Sequence, residues 1–197
     1  MSDEDKEHIK IILIGDMSTG KTSLINAYFG MNFNSQITTT LTPSVSQKEI
    51  KIEGSSYVID MWDTAGQEKY RSMAKIFIKD SQIVIYVYDV TEEKTFDSLD
   101  YWVKSVEEVL GKNALLALVG NKIDLLENIK VLTEKGEKLA KDIGAIFYET
   151  SAKEDADGFQ KFVKQLIEEF LDKNEITKGF GDKISWQGRK DTSTCSC

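Results

Sequence analysis

Gly15, Asp16, Met17, Ser18, Thr19, Gly20, Lys21 and Thr22 fall in the spacing glycine, four residues, Gly-Lys-Thr. Such a stretch can cradle phosphate if a strand leads into it and a helix leaves it, because loop and first-turn N–H groups then face one anion. The flanks meet that condition. An apolar run at Ile9, Ile11, Ile12, Leu13 and Ile14 comes first, and a helix-period segment over 21–29 follows. Gly15 and Gly20 would let the backbone close on the β-phosphate, with Ser18, Thr19 and Ser23 completing the loop. Lys21 is then placed to neutralise β- and γ-phosphate oxygens, and Thr22 to offer its hydroxyl to Mg²⁺.

A phosphate loop does not choose a base. Asn121-Lys122-Ile123-Asp124, just after an apolar run ending at Gly120, does. A carboxylate at Asp124 can accept hydrogen bonds from guanine N1–H and from its exocyclic amine, whereas adenine has no such donor pair and would leave the carboxylate unpaired. Asn121 is expected to tie loops together, and the stem of Lys122 can lie over the base. Ser151, Ala152 and Lys153, after the last strand, bring backbone N–H groups within reach of guanine O6. An ATP-using kinase is disfavoured by the same aspartate and by the lack of a lid or second substrate segment.

These residues need a frame. Stretches over 45–52 and 57–62 flank Glu53-Gly54-Ser55-Ser56, a turn composition that predicts an antiparallel hairpin. The runs 83–90, 114–119 and 145–148 are apolar with few breaks, as strands covered on both faces are. Phe96, Leu99, Val103, Val106 and Leu110 follow a three-to-four spacing, as do Phe159, Phe162, Val163, Leu166 and Phe170; two weaker helices are expected over 69–79 and 133–143. Trp102 is expected simply to pack on its helix. Alternating strands and helices predict an α/β fold with a mostly parallel sheet, whose ligands bind beyond the carboxyl ends of the strands.

With 197 residues, one domain and a tail suffice. The formal charge of −8 repels phosphate backbones, so nucleic acid is not an expected partner. No apolar run reaches the roughly 20 residues of a membrane span, so attachment to a bilayer is expected to be peripheral. Cys195 and Cys197, the only cysteines, cannot staple a fold from one chain end. Residues 1–7 read as a flexible start, 8–172 as the domain, and 173–197, with its glycines and Ser-Thr run, as a flexible tail.

Trp62-Asp63-Thr64-Ala65-Gly66-Gln67-Glu68 ends the second hairpin strand, and with it the chain resembles the Ras superfamily of small GTPases over about residues 8–172. The resemblance implies a phosphate-loop GTPase domain: a six-stranded sheet with one antiparallel edge strand and helices on both faces. It implies GTP or GDP with Mg²⁺ as cofactors. Asp63 would hold the metal through a water, Gly66 would donate its N–H to the γ-phosphate, and Gln67 would orient the attacking water, making Gln67 and Lys21 the catalytic pair. Counting nineteen residues from Lys21 reaches Thr40, the second metal ligand, and Phe33 would meet the base edge-on. A non-enzymatic GTP-binding scaffold is the competing reading; Thr40, Asp63, Gly66 and Gln67 together argue against it.

Within the superfamily, Tyr88-Asp89-Val90-Thr91, the residues after Gln67 and the terminal Cys-Ser-Cys resemble Rab proteins. This implies a vesicle-trafficking switch with slow hydrolysis, accelerated in trans by an activating protein because no arginine stands at the loop or beside Thr40. It implies an exchange factor, effectors at the switch segments, prenyl-delivery and GDP-dissociation proteins, and two lipids on Cys195 and Cys197. The expected location is the cytoplasmic face of intracellular membranes, cycling with the cytosol. Ser2 in place of glycine excludes Arf-like myristoylation. Departures stand at Leu41-Thr42-Pro43-Ser44-Val45 and at Met17, where the superfamily keeps a small residue. Val45, Trp62 and Phe77 occupy the positions of the Rab effector-facing aromatic triad.

Overall fold

Alternation along the central strand divides the molecule into two cores. On β1 (Glu7–Ile14), Ile9, Ile11 and Leu13 enter one hydrophobic cluster, while Ile12 and Ile14 enter another on the opposite face. A strand buried on both faces needs helices on both. The computed structural model describes residues 6–34, 40, 43–64 and 71–181, with side chains described for all of these except 71–73 and 175–181.

After β1 come α1 (Lys21–Tyr28), β2 (Ser44–Ile52), β3 (Ser55–Asp63), α2 (Arg71–Ile78) and β4 (Ile83–Asp89). Then follow α3 (Glu93–Asp97), α4 (Leu99–Leu110), β5 (Leu115–Asn121), α5 (Thr133–Ile143), β6 (Ile146–Thr150) and α6 (Ala156–Gly181). The six strands lie in the order β2-β3-β1-β4-β5-β6. Only β2 runs antiparallel, against β3 at the edge. Pro43 immediately precedes that edge strand, where a missing N–H breaks no ladder bond. Glu53 and Gly54 both take positive φ, 49° and 88°, the two-residue turn whose twist suits a hairpin, so Ser55 and Ser56 belong to β3.

The first core packs β1, β4 and β5 against α1 and α6, with Phe159, Val163 and Leu166 supplied by α6. Tyr148 stacks on Phe162 at 4.4 Å between centroids, which fixes α6 beside the end of β6. The second core takes Val84, Tyr86 and Tyr88 from β4 together with Leu99, Trp102 and Val106 from α4. Each such side chain, fully buried, contributes about 1.5–3 kcal/mol against leaving it in water. Trp62 and Phe77 are only partly buried on this core, 6.1 Å apart, and Val45 is paired with Trp62 across the β2–β3 ladder. The three positions expected to face effectors therefore lie together.

Three boundaries differ from expectation. The helix predicted through 96–110 is two helices, because the chain breaks at Ser98 and restarts at Leu99. The apolar period passes through that break unaltered, so the pattern could not reveal it. The final helix continues to Gly181 rather than stopping near Asp172. No proline or glycine stands between 173 and 178, and Lys173 pairs with Glu169 one turn back at 2.8 Å. At the other end β1 already begins at Glu7, inside the segment expected to precede the domain. Among the described residues, no helix is long and apolar enough to cross a membrane.

The sheet order reverses at β1, which has β3 on one side and β4 on the other. A crevice therefore opens beyond their carboxyl ends, where the loop after β1 emerges.

Candidate functional site

Gly15 leaves β1 with φ 147°, and a Cβ there would stand 2.1 Å from the Val87 carbonyl oxygen of β4. Gly20 has φ 94°, and a Cβ there would strike the Asn121 amide at 2.2 Å. Any larger residue at either place would push the loop off the sheet edge. Gly20 is also the N-cap of α1 and offers no side-chain acceptor, so first-turn N–H groups of the helix remain open to an anion. Lys21 curls back over the loop, its Nζ donating to the carbonyls of Gly15 (2.9 Å) and Asp16 (2.7 Å). Burial pulls its ammonium down to about 8, while Asp63 and Asp16 act to hold it up. An ammonium kept charged in so dry a place is strongly attracted to a multiply charged anion.

Beside this loop three oxygens converge from three elements. Thr22 Oγ1 donates to Asp63 Oδ2 at 2.7 Å, and it lies 2.8 Å from Thr40 Oγ1. Thr40 in turn reaches Asp63 Oδ2 at 3.3 Å. The other carboxylate oxygen, Asp63 Oδ1, is buried and has no hydrogen-bond partner among the described residues. Burial pushes the Asp63 carboxyl above its usual range, against hydrogen bonds from Thr22 and Thr40 and the charge of Lys21. Two hydroxyls and one carboxylate, one of whose oxygens is left without a partner, form a hard-oxygen set. That set fits Mg²⁺, which takes few protein ligands and keeps water and substrate oxygens for the rest of its shell.

A cleft of about 460 Å³ runs from this cluster to the β5 and β6 loops. Ser18, Gly20, Lys21, Thr22, Ser23 and Thr40 line its phosphate end. Phe33, Asn121, Lys122, Asp124, Ser151, Ala152 and Lys153 line the other. Asn121 is buried and joins three loops, its Nδ2 donating to Thr19 O at 2.8 Å and its Oδ1 accepting from Ala152 N at 3.0 Å. The Lys153 N–H likewise has a protein partner, Ser151 Oγ at 3.2 Å. Asp124 is nearly buried, with the Lys153 ammonium 4.0 Å from its Oδ2. Gly15 and Thr19 shape the loop from behind without lining the cleft. Gly66 and Gln67 lie outside the described residues, as do Cys195 and Cys197.

The sequence reading passed over several contributors. Asn34, Thr64 and Leu125 also line the cleft, and Thr64 is fixed through Oγ1 to Leu13 O at 2.7 Å. Met17, already marked in the sequence as a departure within the phosphate loop, lines the cleft too and is 42 % exposed rather than in the core. Trp102 does more than pack: its Nε1–H donates to Asp16 Oδ1 at 3.1 Å, tying α4 to the residue whose carbonyl receives Lys21. No local signal announces a contact between residues 86 positions apart.

The Ras family sequence profile matches residues 10–172, which span every element from the strand before the loop to the last helix. Curated relatives agree. Ras-related protein Rab-21 of Mus musculus is 35% identical over 184 residues, covering 92% of this chain and 82% of its own. Ras-related protein SEC4 of Saccharomyces cerevisiae is 38% identical over 170 residues, 85% of this chain and 79% of its own. Ras-related protein Rab-8B of Homo sapiens is 33% identical over 195 residues, 95% and 94% respectively.

Proposed function

Since the chain belongs to the Ras family as a Rab-like small GTPase, we propose that it is a membrane-trafficking switch, set by whether GTP or GDP fills the cleft. The observation that carries this reading is the convergence of Thr22, Thr40 and Asp63 beside Lys21, at the opposite end of one cleft from Asp124. Thr40 comes from the segment before β2, and its hydroxyl is bonded to Thr22 and Asp63. A γ-phosphate that recruits Thr40 therefore orders that segment, and loss of the phosphate releases it.

Thr22 and Thr40 would hold Mg²⁺ through their hydroxyls and Asp63 through a water, and the ion would supply positive charge to the β- and γ-phosphate oxygens. The chain does the rest. Lys21 and the open N–H groups of the loop and of α1 bind the phosphates and hold charge that develops on the leaving oxygen. Gln67 orients the attacking water and Gly66 donates its N–H to the γ-phosphate, as the family resemblance implies. None of the described groups in the cleft is a strong general base, so hydrolysis is slow until an activating protein completes the charge with an arginine. Exchange factors, effectors and GDP-dissociation proteins read the two states through the Thr40 and Gln67 segments.

Gln67→Leu separates hydrolysis from binding. It is expected to slow single-turnover GTP cleavage by roughly tenfold or more, because only a group acting in the transition state is lost, and to leave GTP affinity within about twofold of the parent. Cleavage by this variant at the parental rate would remove Gln67 from the mechanism.

A further inference from the structure

Lys122 lies in the left-handed region, with φ 73°. For a residue with a side chain this conformation is strained, so neighbouring contacts must hold it. Its main chain is tied through its carbonyl, which accepts from Leu125 N at 3.1 Å, and the next residue, Ile123, donates to Thr150 O at 3.3 Å. Its side chain is tied elsewhere. Lys122 Nζ meets Asp89 Oδ2 at 2.5 Å, across the β4–β5 ladder in which Asp89 pairs with Asn121.

This is not an ordinary surface pair, since the Asp89 side chain is only 8 % exposed. Its second oxygen, Oδ1, accepts from both Thr91 N (2.8 Å) and Thr91 Oγ1 (2.6 Å). Its backbone N–H donates to Thr95 Oγ1 at 2.9 Å, and that hydroxyl donates onward to Glu92 O at 2.7 Å. The carboxylate is thus held at Oδ1, and the residue at its main-chain N–H, independently of the contact that Lys122 makes with Oδ2. Lys122 is fixed at both ends in consequence, by its strained backbone and by its ammonium, and the four-carbon stem between them lines the base end of the cleft.

From this geometry we infer that Asp89, locked by Thr91, is a positioning residue of the base site: it stretches the Lys122 stem into a rigid platform and so sets how long a guanine nucleotide resides. The inference rests on the guanine reading of the cleft. Without the carboxylate the stem regains rotamer freedom, and each encounter with the base must order it again. Asp89 itself does not line the cleft and acts through Lys122, which does.

The test is a double-mutant cycle read by the dissociation rate of fluorescent GDP, with the parent, Asp89→Asn, Lys122→Met and the double variant, each at saturating Mg²⁺ and after chelation. Asp89→Asn is expected to release GDP roughly tenfold faster, in keeping with breakage of a buried charged hydrogen bond that shows mainly in the off-rate. The double variant is expected to release it no faster than Lys122→Met alone. The acceleration on chelating Mg²⁺ should be the same in Asp89→Asn as in the parent, because the metal end is untouched; general loosening of the fold would alter both. Should Asp89→Asn fold poorly, Thr91→Val removes one clamp of the carboxylate, and a smaller acceleration, again absent when Lys122 is Met, is expected. Independent, multiplying effects of the two substitutions, or a parental off-rate in Asp89→Asn and Thr91→Val, would overturn the inference while leaving the base site standing. A parent protein that retains no guanine nucleotide would overturn both.

Discussion

Asp124→Asn is expected to lower GTP and GDP affinity by about two to four orders of magnitude and to turn preference toward xanthine nucleotides. The carboxylate of Asp124 lines the cleft, nearly buried, and the ammonium of Lys153 stands 4.0 Å from one oxygen. Guanine offers it two donors on one edge. Hydrogen bonds to a charged group contribute about 1.5–3 kcal/mol each, and each 1.4 kcal/mol is about a factor of ten in affinity. An amide in the same place turns an N–H toward the exocyclic amine of guanine and leaves both donors facing one another. Xanthine carries a carbonyl where that amine was, so the amide regains a partner. Competition of GDP and xanthosine diphosphate against a fluorescent nucleotide reads the exchange directly. Unchanged GDP affinity in the variant would mean that another group reads the base.

The second large effect concerns the chain end. Changing both Cys195 and Cys197 to serine is expected to move the protein in cells from membranes to the soluble fraction, with nucleotide affinity unaltered. Each buried CH₂ of a lipid contributes about 0.8 kcal/mol, a single chain gives marginal binding, and two give stable anchoring. Charge offers little support. From Lys173 onward five basic side chains face three acidic ones, a net of +2, and the whole chain carries −8. A polybasic segment contributes about 1 kcal/mol per basic residue near an anionic surface, too little here to replace a lipid. Either single change should leave attachment transient, visible as fast exchange after photobleaching. Persistent membrane recovery of the double variant would point to anchoring by a protein partner.

What was legible in the sequence shares one physical property. The loop from Gly15 to Thr22 and the stretch from Asn121 to Asp124 carry their chemistry in local spacing, because consecutive backbone groups and neighbouring side chains form each half of the cleft. The parallel strands were legible for a similar reason: burial on both faces writes an apolar run such as Ile83–Asp89. The break at Ser98 was not, since two helices that continue one apolar face leave the same pattern as one. Nor was the reach of α6 to Gly181, where helical hydrogen bonds continue after the buried stripe has ended. Least legible were the contacts that place the site residues. Trp102 to Asp16 and Asp89 to Lys122 join residues distant in the chain, and each looks locally like an ordinary core indole or a solvated charge. Their roles follow only from topology, which sets α4 behind the phosphate loop and the end of β4 beside that of β5.

This cleft is proposed to hold guanine nucleotide and to cleave GTP in a manner that depends on Mg²⁺. Single-turnover hydrolysis by the purified protein, loaded in parallel with radiolabelled GTP or ATP, tests it most directly. The predicted result is tight retention of GTP, released faster on chelation of Mg²⁺, and its slow conversion to GDP with a rate constant on the order of 10⁻⁴ to 10⁻² s⁻¹, with no retained ATP to convert. Equal retention and cleavage of ATP, or conversion of GTP at the same rate after Mg²⁺ is removed, would contradict the account.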